Sequence, residues 1–156
     1  MGSQPGTEVA AQEEMTRARA VLDANVYVSA AIHGEGPPGQ IIERFLRDAA
    51  FEIVVSQAIV NEVLRALAYP RVRKYIPGSF DPNLWFRDIV VLAQFVAGEY
   101  EVAGVSDDPD DDKYIAAAVE GRAAFIVTGD PDLLALKEHE GIRIVSPRAF
   151  LDLLSV

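Results

Sequence analysis

The sequence predicts an α/β domain built on a mainly parallel sheet with helices on both faces. Short apolar runs of strand length alternate along it with amphipathic stretches. The intervening stretches hold ten or more helical residues, the spacing of βαβ units, and right-handed crossovers then limit the topology. A length of 156 residues, half of them hydrophobic, suits one core, and no repeat or interdomain linker divides it.

The elements follow in order. MGSQPGTEVAAQEEMT is polar and aperiodic, so residues 1–17 are expected to be a disordered N-terminal extension, with Met15 a candidate natural start and 18–156 the single domain. ARAVLDA (18–24) is a buried strand, NVYVSAAI (25–32) a helix, GEGPPG (34–39) a loop and QIIERFLRDAA (40–50) a helix. FEIVVS (51–56) is the second strand, and Ser56 caps QAIVNEVLRALA (57–68). Pro70 ends that helix, and RVRKYI (71–76) makes a short one. Asp81-Pro82 places a cap before a first-turn proline and opens NLWFRDIVVLAQFVA (83–97). Helical spacing makes Trp85, Phe86, Val90 and Phe95 of that stretch read as core before partner surface. YEVAG (100–104) is a strand, and DDKYIAAAVEG (111–121) is a helix closed by Gly121. AAFIVTGD (123–130) is a strand, PDLLALKEHEG (131–141) a helix and GIRIV (141–145) the last strand. Ser146-Pro147 caps the terminal helix RAFLDLL (148–154).

Composition narrows the chemistry. No apolar run approaches the ~18 residues of a membrane span and no secretory leader pattern is present, so a soluble, cytoplasmic protein is expected. The chain has no cysteine and only two isolated histidines, which excludes disulfides and thiolate sites and disfavours a histidine-rich zinc site. Any metal must be held by oxygen, which favours magnesium or manganese. A net charge of −10 opposes a broad electrostatic grip on nucleic acid, although a divalent ion can reverse the local sign.

Ligands of open α/β sheets bind beyond the carboxyl ends of the strands. Asp23 ends AVLD and Asp130 follows FIVTG, so both lie there, with helix capping as the alternative role for each. Asp132 reads as a cap or a supporting group. The run SDDPDDDKY holds Asp107, Asp108, Asp110, Asp111 and Asp112. At roughly 100° per residue, Ile115, Ala118 and Val119 fall within about 80° of Asp111, which places Asp111 on the sheet-facing side. Asp112 borders that side, Lys113 points away, and Asp107, Asp108 and Asp110 belong to the loop and its negative field. An acid on an apolar face is costly without a partner. Glu62 borders the apolar arc of Ile59, Val60, Val63, Leu64 and Leu67, with an exposed helix glutamate as the alternative. Glu43, Glu120 and Glu138 read as surface acids. Should Asp23, Glu62, Asp111 and Asp130 converge, like charges ~4 Å apart would repel by about 4 kcal/mol at an effective dielectric of ~20. A divalent cation is the natural neutraliser.

Four segments, VLDANVYVSA, SQAIVNEVLRAL, DPDDDKYIAAAVEG and AAFIVTGDPDLLAL, in this order and spacing resemble the PIN-domain ribonuclease family. The similarity is to its toxin branch, the VapC-like toxins of toxin–antitoxin pairs, and spans roughly residues 19–154. The resemblance implies a three-layer α/β/α sandwich with a mainly parallel sheet of about five strands. It implies hydrolysis of RNA phosphodiester bonds with magnesium or manganese and without a protein nucleophile. The family's acids fall on Asp23, Glu62, Asp111 and Asp130 as catalytic and metal-ligating residues, though family members vary in whether the fourth touches metal. Its small polar position falls on Asn25 and its hydroxyl position on Thr128, with Ser29, Asp112 and Asp132 placed to support the carboxylates. It also implies a homodimer and, for toxin members, an antitoxin protein as partner. Arg65, Arg71, Arg73 and Lys74 form the densest basic cluster, suited to surface ion pairs or to guiding RNA. An aspartyl-phosphate phosphatase would need Asp-x-Asp after the first strand, where this chain has Asp23-Ala24-Asn25. The alternative to a nuclease is a catalytically weak PIN-fold module that binds RNA or protein.

Overall fold

The structure is a computed structural model and describes residues 17–102 and 108–155. Nearly all of the expected N-terminal extension lies outside the described residues, as do Asp107 and the end of the strand expected over 100–104. The described chain forms a three-layer α/β/α sandwich around a six-stranded sheet ordered β3-β2-β1-β4-β6-β5.

β1 (Arg19–Leu22), β2 (Glu52–Val55), β3 (Gln94–Phe95), β4 (Phe125–Val127) and β6 (Ile142–Val145) run parallel, and β5 (Glu138–His139) runs antiparallel to β6. The helices are α1 (Ala24–Ile32), α2 (Pro37–Asp48), α3 (Gln57–Ala68), α4 (Pro70–Arg73), α5 (Pro82–Leu92), α6 (Asp112–Glu120), α7 (Pro131–Leu134) and α8 (Pro147–Leu154). Caps set most of their starts. Ser56, Asp81 and Ser146 accept backbone N–H groups at the mouths of α3, α5 and α8, each satisfying a donor the helix itself cannot use.

Three expectations are corrected. The helix expected over 83–97 stops at Leu92; Ala93 is extended, and the chain pairs with β2 as β3. Val96 N–H donates to the Val55 carbonyl at 2.9 Å, a sheet bond that periodicity alone does not reveal. This short edge replaces the strand expected over 100–104, of which Tyr100, Glu101 and Val102 are irregular. Phe86 is then core, stacking edge-on against Tyr27 at 5.1 Å, and Trp85 packs on Phe80. Val90 is partly buried, whereas Phe95 lies half exposed on β3. The helix expected over 131–141 is only the single turn of α7. Glu140 and Gly141 have φ of 49° and 84°, and the pairing of His139 with Ile142 makes them the centre of a two-residue hairpin. Positive φ at both centres is what such a turn requires, and glutamate in place of asparagine hid the signal.

The winding positions the site. From β1 the chain moves outward to β2 and β3, then returns across the sheet to β4 on the other side of β1. The direction of winding therefore reverses between β1 and β4, and a crevice opens beyond their carboxyl ends. α6 lies tight on the sheet: a Cβ on Gly121, at its C-cap, would stand 2.5 Å from Val54 Cγ1. Among the described residues no helix is long and apolar enough to cross a membrane.

Phe150 of α8 is buried and stacks edge-on with Phe51 at 5.0 Å and Phe125 at 5.4 Å. Phe150→Ala should therefore cost about 3–5 kcal/mol, read from urea unfolding with an unchanged slope. A loss under about 1 kcal/mol would mean that α8 is not part of the cooperative core.

Candidate active site

Two acids stand where the sheet ends. Asp23 follows β1 and caps α1: Oδ1 accepts the Asn25 backbone N–H at 3.2 Å. Its other oxygen, Oδ2, accepts the hydroxyl of Thr128 at 2.7 Å. Thr128 is fully buried just past β4, and its Oγ1 also accepts the Asp130 N–H at 3.0 Å. A carboxylate can only accept, so the Thr128 hydrogen must point at Asp23. One hydroxyl thus ties together the two strand-end acids. Asp130 in turn caps α7, accepting the Asp132 N–H at 2.9 Å. Capping and inward placement are not alternatives here, because each cap occupies one oxygen and orients the other. The cap of α7 is Asp130, while Asp132 is exposed and contributes its backbone N–H.

The aspartate run divides as the helical phase anticipates. Asp111 and Asp112 are buried at 7% and 9% exposure, and Asp108 and Asp110 face solvent. Asp111 ends a 3-10 turn, Pro109–Asp111, that precedes α6. The Asp108 carboxylate accepts the Asp110 N–H at 3.0 Å and shapes that turn. Burial above all pushes the Asp111 carboxyl up to about 7, helped by the charges of Asp130, Asp108 and Asp23 and by a hydrogen bond with Asp130. Asp23, Asp111 and Asp130, from three separate elements, therefore feel one another across one crevice.

Glu62, on α3, has partners that the sequence did not reveal. Lys113, expected to point away, donates its Nζ to Glu62 Oε2. Its helix lies beside α3 as well as on the sheet, so the flank between them is half-buried, a packing that a one-partner helical wheel omits. Tyr114 is the other missed residue. Its hydroxyl donates to the same Oε2 at 2.9 Å and accepts the Ala24 N–H at 3.2 Å. Burial, then the charge of Asp23, holds this phenol's ionisation well above its ordinary range. A tyrosine on the buried face of α6 was the available signal, since a buried phenol needs a polar partner.

The remaining candidates are dispersed. Asn25 is exposed and serves through its backbone N–H, and Ser29 is half-buried. Arg65, Arg71, Arg73 and Lys74 are exposed and make no ion pair among the described residues. Glu120, read as a surface acid, accepts the N–H groups of Gly98, Glu99 and Tyr100, each at 2.8 Å, and these donors hold its carboxyl below the usual range.

Among the described residues no three acids or histidines are drawn together closely enough to hold an ion in the side-chain positions seen. The donor chemistry nonetheless fits a hard divalent cation. Asp23, Asp111 and Asp130 supply carboxylate oxygens, and Asp111 now relieves their repulsion by keeping a proton and bonding Asp130.

The family model described as PIN domain matches residues 19–132. An uncharacterized protein of Methanocaldococcus jannaschii is 26% identical over 147 residues, covering 89% of this chain and 93% of the relative. A solved chain from VapBC2 of Rickettsia felis, bound to a DNA fragment from their promoter, is similar at a TM-score of 0.49 and 14% identity, covering 82% of this chain and 98% of that one.

The raised Asp111 carboxyl has a consequence for stability. Folded, it keeps its proton to about pH 7, whereas an unfolded aspartate releases it near 3.8. The folded state binds more protons between those values, so its stability is highest below them and falls as pH rises to 7. Without divalent ions, Asp111→Asn should melt above the parent at pH 8, with the gap closing toward pH 4. Parallel melting curves for the two proteins across that range would contradict the assignment.

Proposed function

Because the chain belongs to the PIN domain family, whose members are generally nucleases, we propose that it is a divalent-metal-dependent ribonuclease that hydrolyses RNA phosphodiester bonds. The observation that supports this most is the Asp111 carboxyl, pushed up to about 7 beside Asp23 and Asp130 at the reversal of sheet winding. A crevice that forces a carboxyl to keep a proton near neutral pH is one that a cation would relieve.

In this reading Asp23, Glu62, Asp111 and Asp130 would hold magnesium or manganese and form the catalytic set. When bound, such an ion supplies Lewis-acid polarisation of the phosphate and lowers the pKa of water. The chain's own groups do the positioning. Thr128 and the Asn25 N–H fix both oxygens of Asp23, and the Asp132 N–H fixes one oxygen of Asp130. Asp111 would hold such an ion only as a carboxylate, so ion binding would release its proton and tighten as pH rises through about 7. Asp112, in the first turn of α6, and Ser29, on α1, would support the carboxylates. The exposed cations Arg65, Arg71, Arg73 and Lys74 offer an RNA strand the contacts that a net charge of −10 otherwise denies it.

The resemblance of the four motifs to VapC-like toxins supports a biological role as the toxin of a type II toxin–antitoxin pair. On that role the domain over 18–156 is cytoplasmic, forms a homodimer and is held by a cognate antitoxin. The Lys113–Glu62 ion pair favours a second reading, a catalytically weak PIN-fold module that binds RNA or protein, because an internal cation already serves one of the four acids.

The two readings separate in a cleavage assay. The purified chain should cut RNA with manganese or magnesium, lose that activity in EDTA, and cut faster at pH 8 than at pH 6. Asp23→Asn and Asp111→Asn should each lower kcat/KM by roughly 100-fold or more while the circular dichroism spectrum is kept. An Asp111→Asn variant as active as the parent would sink the nuclease reading, and a parent inert across divalent ions would leave the binding module.

A further inference from the structure

Glu62 is the one candidate ligand that lies inside a helix and not at the end of an element. It sits in the middle of α3, and a glutamate side chain has three rotatable bonds with which to miss the crevice. What holds it is legible atom by atom. The Ala24 N–H, at the first position of α1, can only donate, so the Tyr114 oxygen accepts it. The phenolic hydrogen is then left for Glu62 Oε2, which can only accept. Lys113 Nζ donates to that same oxygen, and Oε1 receives no hydrogen bond among the described residues. Tyr114 is almost fully buried, so its ring is fixed by packing and its hydroxyl cannot swing away.

From this geometry we infer that Tyr114 is a positioning residue, which locks Oε2 of Glu62 to the residue after Asp23 and so presents Oε1 to a cation. The hydroxyl links three elements, α1, α3 and α6, at one atom. It thereby sets the separation of Glu62 from Asp23. Lys113 shares the oxygen but is a flexible chain end, partly exposed, and cannot fix direction as a packed phenol does. This assignment rests on the metal-site reading proposed above, and it goes beyond it in naming a residue that touches neither ion nor RNA.

Tyr114→Phe tests it, because the ring and its packing remain and only the hydroxyl goes. Manganese binding to the full chain, followed by titration calorimetry, should weaken about 10-fold or more. In the RNA assay kcat should fall by a similar factor with KM for RNA unchanged, since the substrate is not contacted. Tyr27→Phe is the control: its hydroxyl is also buried, has no hydrogen-bond partner among the described residues, and has its ionisation shifted by burial alone. It should leave manganese affinity and kcat as in the parent. Parent-like manganese affinity in Tyr114→Phe would overturn the inference, even if its melting temperature falls. A parent that binds manganese and cleaves no RNA would overturn the ribonuclease reading while the binding comparison still decides the role of Tyr114. A parent that binds no manganese would overturn both.

Discussion

Repulsion among carboxylates withdrawn from water governs this site. Asp23 and Asp111 are buried at 4% and 7% exposure, and Asp130 lies beside them. Carboxylates in such a setting either take up protons or acquire cations, since desolvation and like charge both oppose ionisation. Asp111 does the first, keeping a proton to about pH 7 and bonding Asp130 with it. A chain that folded only for stability would place apolar groups here, as replacing buried charge by packed hydrocarbon is commonly neutral or favourable. The cost is accepted at one end of the sheet and nowhere else among the described buried residues, whose other polar members are Ser56, Asp112 and Thr128.

Topology makes the concentration of charge possible. The strand order brings the carboxyl ends of β1 and β4 side by side although more than a hundred residues separate them. Short backbone bonds then hold the acids in place. Thr128 is central, since its hydroxyl donates to Asp23 and accepts from the residue N–H of Asp130, coupling both strand ends through one buried atom. The helix caps work in the same direction. Each fixes one carboxylate oxygen against a helix mouth, where the partial positive charge of the helix favours an anion, and leaves the orientation of the other determined.

Much of this was legible in the sequence, and the rest was not for identifiable reasons. The parallel core strands, α3 with its Ser56 cap and the inward placement of Asp111 all follow from periodicity, capping chemistry and helical phase, which are local properties. Lys113 and Tyr114 were misjudged or missed because their roles depend on α3 packing beside α6, a contact between residues about fifty apart in sequence. The two-residue edge strand β3 escaped because its hydrogen bonds are to β2, while its own composition continues the helical pattern of α5. The β5–β6 hairpin escaped because Glu140-Gly141 adopts a left-handed turn that asparagine or glycine ordinarily announces. Local signals located the acids; only tertiary packing could show what surrounds them.

The central claim is that the acids that follow β1, sit within α3, precede α6 and follow β4 form one site for a divalent ion. Anomalous diffraction from crystals soaked in manganese tests this most directly. A manganese peak in the crevice, with oxygens of Asp23, Asp111 and at least one of Glu62 and Asp130 as its ligands, is the result expected. An empty crevice at saturating manganese, with Asp111 still bonded to Asp130, would contradict it.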